Sequence, residues 1–240
     1  MAAPGARSRA GAARRPDGGL VVRGPTLHLR YPAPRDAEAL FDLARNAEVT
    51  RFFSWGPYAD RAEPLRWIES LPAARRTGRR LELVIVDGED RPIGVTGFSE
   101  LSARDRRAVV GTWIGRAHWG TGANAESKAL VLALGFRSLG LDRVTALVNP
   151  ENGRSHAALE RLGFVPEGVL RAWHRHPTGV RDCAVLGLLR SEWEESSMGR
   201  VPARVSGRAP RRWVMAGPEP RGARAEGIGN PGAVPGIDPA

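Results

Sequence analysis

The segment HWGTGANAESKALVLALGF, residues 118–136, decides how the rest of the chain is read. Two glycines, Gly120 and Gly122, stand directly before a strongly apolar segment. Glycine weakens regular elements and is used where the backbone turns sharply or must be approached closely. The segment AVVGTWI of residues 108–114 reads as a strand and precedes the turn, so the order is strand, glycine turn, helix start. A helix start leaves N–H groups unpaired at the positive end of its dipole, a natural anion site. A diphosphate is the expected guest. The lysine-containing phosphate motif GxxxxGK[ST] is absent, and GxGxxG fails because Ala125 fills its third glycine. A nucleoside triphosphate and a nicotinamide dinucleotide are therefore disfavoured.

Working outward, residues 124–139 read as a helix with Ala125, Ala129, Leu132, Ala133 and Phe136 on one face, stopped by Gly140. Upstream, residues 27–31 alternate as a strand, and Pro34 and Asp36 open a helix to about Ala44. A second helix is expected over residues 61–70, ending before Leu71 and Pro72. Strands follow at 80–86 and 92–101. Downstream come a strand at 143–148, a helix at 152–162 and two strands near 169–173 and 184–189. The pattern is α/β (α+β): a mixed, mostly antiparallel sheet with helices on both faces.

Residues 1–25 and 194–240 are rich in Ala, Gly, Pro and Arg, and are expected to be disordered tails around one domain, 26–193. The formal charge of +10 comes almost wholly from arginine, Lys128 being the only lysine. That skew reads as genome composition, and no direct nucleic-acid binding is expected. A single cysteine, Cys183, excludes a disulfide framework, and no spacing suits a metal. No apolar run is long enough to cross a bilayer and no signal peptide is evident, so a cytoplasmic setting is expected.

WGTGANAE, followed after the next strand by NPENGRSHAALERLGF at 149–164, resembles the GNAT superfamily of acyl-CoA N-acyltransferases. The likeness is to the branch of the ribosomal-protein N-terminal acetyltransferases RimJ and RimL, and spans nearly all of 26–193. It extends to LHLRYPAPRDAEALFDLARN, RFFSWGPYADRAEPLRWIE and DCAVLGLLRSEW. The resemblance implies the acyl-CoA N-acyltransferase fold with a splayed central strand pair, and acetyl-CoA as cosubstrate. Its diphosphate pattern, Arg/Gln-x-x-Gly-x-Gly/Ala, falls on Trp119, Gly120, Thr121, Gly122, Ala123 and Asn124. Gly122 fits, Trp119 is familiar in this branch, and Asn124 departs from a small residue, with a helix-capping role open to it. Trp113 and Ile114 would line the pantetheine gap, a backbone N–H there holding the thioester oxygen. Asn149 and Asn152 would form the far side.

Acetyl transfer needs a neutral amine and a proton for the departing thiolate. The family tyrosine is replaced here by Leu159, so the resemblance points to Ser155 as proton donor. The strand before the loop lacks the family glutamate. Glu100 is the leading substitute as base, ahead of Asp105 and His118. Trp55 and Tyr58 are candidates for the acceptor pocket, with Phe53 anchoring their loop. His174 and His176 read as loop residues, and Asp182 as a recurrent acid of the branch with an ion-pair reading beside it. Direct acetyl transfer is expected to a primary amine, of a protein N-terminus or a small molecule, by a monomer or homodimer. Two further readings are a non-catalytic acyl-CoA-binding or regulatory protein, and a nucleic-acid-associated protein acting through its tails.

Overall fold

A computed structural model describes residues 19–215. Among these residues a nine-stranded sheet forms the frame, in the order β7-β8-β6-β5-β4-β3-β2-β1-β9. The strands are β1 (Val21–Arg23), β2 (His28–Arg30), β3 (Arg80–Val86), β4 (Pro92–Ser102) and β5 (Arg107–Ile114). They continue with β6 (Arg143–Val148), β7 (Val165–His176), β8 (Gly179–Leu189) and β9 (Arg204–Ser206). Every neighbouring pair is antiparallel except β5 and β6, which are parallel. That one parallel pair follows from the helix between them: a crossover is needed to return the chain to the same end.

Side chains alternate across the pleat and build two cores. Leu81, Leu83 and Ile85 of β3 face α4 (Ala123–Ala133) together with Val110, Val144, Ala146, Leu186 and Leu188. The helix continues as a π-helical turn, Leu134–Leu139, closed by Gly140 at φ 78°. Val84 and Val86 face the other way, with Val95, onto α1 (Ala37–Ala44) and α3 (Ala62–Arg76). A short helix, α2 (Ala47–Thr50), follows α1. Helix α5 (Gly153–Arg161) covers the first core beside α4, burying Leu159. A buried two-pronged pair, Arg30 Nη1 to Asp36 Oδ2 at 2.7 Å and Nη2 to Oδ1 at 2.8 Å, ties β2 to the start of α1.

Several elements differ from expectation. Helix α3 does not stop before Leu71 but runs through Pro72 to Arg76, because burial of Ile68, Leu71 and Ala74 outweighs one missing backbone bond. Strands β7 and β8 are longer than predicted and form a hairpin whose outer strand is exposed on both faces, which erases its alternation. The ordered chain also extends further at both ends than composition suggested. Residues 21–23 pair in the sheet as β1. Helix α6 (Arg190–Glu195) crosses the expected boundary, and beyond it β9 and a final turn wrap the domain. There Trp213 is wholly buried, its Nε1 donating to the Arg75 carbonyl at 3.0 Å, and the Met215 N–H donates to Leu139 at 2.7 Å. Composition misjudged this segment because a few large apolar anchors suffice to dock a polar chain. Residues 1–18 and 216–240, the rest of the predicted tails, lie outside the described residues.

Candidate functional site

The site begins where the β5–β6 ladder stops. The last paired residues are Val110 and Ala146, yet β5 continues to Ile114 and β6 to Val148. Beyond that point β5 follows β4 while β6 follows β8, so the strands part and leave backbone edges facing a slot. Ile114 is buried toward α4, whereas Trp113 packs on the opposite face, against the α1–α3 core.

At the open end of the slot lies the glycine turn. Gly120 has φ 79° and Gly122 φ 89°, both left-handed, and a β-carbon on either would meet only open space. Glycine is demanded here by the turn itself. Gly122 is the N-cap of α4, whose first helical bond runs from the Glu126 N–H to the Gly122 carbonyl at 3.0 Å. The N–H groups of Ala123, Asn124 and Ala125 therefore have no partner within the helix. Asn124 does not cap the helix as its chemistry allowed; it lies inside the first turn, and its carbonyl accepts from Ser127 Oγ at 3.1 Å. Thr121 Oγ1 braces the turn by donating to the His118 carbonyl at 2.9 Å. The Trp119 indole N–H donates to the Ile114 carbonyl at 2.8 Å, pinning the loop to the end of β5.

The far wall is the β6–α5 connection. Asn152 caps α5, its Oδ1 accepting from the Ser155 N–H at 3.2 Å, and Asn149 Oδ1 accepts from the Glu151 N–H at 2.9 Å. Ser155 is partly buried one turn before Leu159, which the core absorbs. The two walls touch: the Arg154 guanidinium lies 3.5 Å from the centre of the Trp119 ring, and Arg116 lies 4.7 Å from it. Burial, with repulsion from Arg116, lowers the Arg154 pKa. The residues predicted for the cofactor thus converge from two distant stretches of sequence.

On the opposite face of the sheet, Trp55 stacks with Phe53 at 5.4 Å, meets Tyr58 in a tilted contact at 5.4 Å and meets Trp113 edge-on at 5.8 Å. The predicted acceptor loop therefore rests on the strand that borders the slot. Burial, assisted by Glu63, pushes the Tyr58 hydroxyl up to about 12, so it holds its proton at neutral pH. Glu100 sits exposed at an irregularity of β4 with φ 51°. A carboxylate the sequence did not single out, Glu82 of β3, points to the same face as Trp113, by its parity with Val84 and Val86. Burial raises it to about 7, against the opposing pull of Arg80. The signal for it was the glycines Gly97 and Gly111, which lie in register with Glu82 on successive strands.

The remaining candidates take other places. Asp105 accepts from Ser102 Oγ at 2.7 Å, and His118 lines a cleft of about 390 Å³ on the α4 side of the loop. Asp182 Oδ1 accepts from the Ala172 N–H at 2.8 Å, bracing the irregular part of β7 where an ion pair was an alternative. His176 Nε2 lies 3.1 Å from the Arg51 carbonyl, joining the β7–β8 hairpin to the acceptor loop. Beside them a cleft of about 230 Å³ opens among Arg51, Asn149, Glu151 and Arg181. Among the described residues no group of His, Cys, Asp or Glu could hold a metal, and no helix is long and apolar enough to cross a membrane.

The family model described as an acetyltransferase (GNAT) domain matches residues 26–165. The chain is 32% identical to "Uncharacterized N-acetyltransferase p20" of Bacillus licheniformis over 168 residues, covering 70% of this chain and 94% of that one. It is 30% identical to "Putative ribosomal N-acetyltransferase YdaF" of Bacillus subtilis, covering 70% and 93%. Among solved structures, Mycobacterium smegmatis RimJ in complex with CoA-disulfide superposes with a TM-score of 0.64 at 26% identity, over 76% of this chain and 91% of that one.

Proposed function

This chain belongs to the GNAT acetyltransferase family as an N-acetyltransferase, and on that premise we propose that it uses acetyl-CoA to acetylate a primary amine directly. The acceptor we favour is a protein N-terminus, with a small-molecule amine as the second candidate. The observation that carries this reading is the parting of β5 and β6 directly beneath a glycine turn at a helix start.

Each element then has a task. The N–H groups of residues 120–124 and the α4 dipole hold the diphosphate. The free edge of β5 at Trp113 and Ile114 pairs with the pantetheine amides, and an N–H there holds the thioester oxygen as charge develops on it. Asn149 and Asn152 flank the same arm from the β6 side. Ser155, half-buried on the first turn of α5, passes a proton to the departing sulfur. Trp55 and Tyr58 frame the acceptor entrance, and the likeness to "Putative ribosomal N-acetyltransferase YdaF" supports a peptide end as the acceptor. A carboxylate on that face, Glu100 in the sequence reading, removes the proton from the incoming ammonium.

The test is CoA release from acetyl-CoA with a panel of short peptides carrying a free N-terminal amine, the same peptides N-acetylated, and small primary amines. Turnover with free peptides and none with blocked ones is expected. Binding of acetyl-CoA without turnover of any amine would instead support the non-catalytic acyl-CoA-binding reading.

A further inference from the structure

We propose that Glu82, not Glu100, is the proton acceptor that deprotonates the incoming amine, an inference that rests on the acetyltransferase reading above. The carboxylate lies flat across the sheet: a β-carbon on Gly97 would fall 2.8 Å from Glu82 Oε2. The same β-carbon would fall 2.3 Å from the Leu81 carbonyl oxygen, so the backbone itself requires glycine there and leaves the carboxylate its room. In register beyond Gly97 stands Gly111, and above it the space is open. Gly111 is the first residue of β5 past the last β6 pair, Val110 with Ala146, so the glycine-floored trough leads from Glu82 to the parting of the strands. Strands are about 4.8 Å apart, so one or two waters span the distance from Gly97 to that edge.

The surroundings suit a base. Among the described residues no hydrogen bond or ion pair engages Glu82, although it is partly buried, and an unpaired carboxylate there costs stability without structural return. Arg80, on the same strand, is the charge that acts on it. From β4 it faces Gly97, flanked by Ser99; from α3 the inward residues are Ile68, Leu71, Ala74 and Arg75, whose guanidinium lies 4.1 Å from the Tyr31 ring centre. Burial raises the carboxyl to about 7, where a base is both deprotonated and strong enough to act. Glu100, by contrast, is exposed on an irregular turn of β4.

The proton balance closes. The ammonium gives one proton through water to Glu82 and becomes a neutral amine. The C–N bond forms, the C–S bond breaks, and the second nitrogen proton reaches the thiolate by way of Ser155. Glu82 returns its proton to solvent, so one proton is released per acetyl group transferred.

The experiment compares wild type, Glu82→Gln and Glu82→Asp. Infrared difference titration of the first two, with no acceptor needed, is expected to reveal a carboxyl with a midpoint near 7. With a free-amine peptide, Glu82→Gln should lower kcat on the order of 100-fold and abolish the fall in rate below neutral pH. Glu82→Asp should restore part of the rate with a shifted limb, and calorimetry should find acetyl-CoA affinity within about twofold of wild type in both variants. A carboxyl midpoint in the ordinary glutamate range, or a pH limb lost in Glu100→Gln and kept in Glu82→Gln, would overturn the assignment. Wild type that fails to bind acetyl-CoA would sink the acetyltransferase reading instead.

Discussion

Lys128, the only lysine of the chain, is 7% exposed on α4, and among the described residues no carboxylate pairs with it. Burial lowers its ammonium from 10.5 to about 8. The native protein thus sheds this proton before the unfolded chain does, so stability should rise with pH between about 8 and 10.5. Below 8 the penalty is present in full. Lys128→Met should therefore stabilise the protein at pH 7 by up to about 3 kcal/mol in urea denaturation, with the gain shrinking toward pH 10. A loss of stability at pH 7 would show that the charge has a compensating role. At this scale the sequence exposes what depends on neighbours in the chain. Gly120 and Gly122 were legible because a turn before a helix is a local pattern. Glu82 was not, because its role depends on Gly97 and Gly111 lying beside it on other strands.

Helix α5 shows the same division among elements. Its start at residue 152 was legible from the residue pattern, and there Asn152 caps it, the side chain accepting from the Ser155 N–H. Asn152→Ala should cost about 1 kcal/mol by urea denaturation, since an alanine leaves the helix start unsatisfied. No change in the denaturation midpoint would mean that water satisfies the helix start equally well. Asn124 offered the same chemistry but lies inside the first turn, because the left-handed Gly122 takes the N-cap position. Local rules failed where packing decided: Pro72 did not end α3, and β7 lacks alternation because neither of its faces is covered.

Across the whole molecule, the frame was readable from the order of periodic segments and its resemblance to a known family. The docked C-terminal segment was not. Trp193 packs on Phe136 with ring centres 5.1 Å apart, and Trp213 is completely enclosed. Trp213 lies in a polar, arginine-rich context that composition reads as unstructured, whereas Trp193 closes DCAVLGLLRSEW, a stretch already legible as part of the domain. β9 then adds itself to the sheet beside β1, so the first and last strands of the described chain pair at one edge. Trp213→Ala should destabilise the domain by about 3–5 kcal/mol, read from urea denaturation. A shift below about 1 kcal/mol would show that this segment contributes nothing to the core.

The measurement that bears most directly on the central claim is calorimetric titration of acetyl-CoA into the wild-type protein and Gly122→Trp. The glycine turn at the start of α4 should give micromolar binding in the wild type. An indole on a residue at φ 89° should remove that binding while the protein stays folded by circular dichroism. Unchanged affinity in the variant would contradict the placement of the diphosphate at this turn.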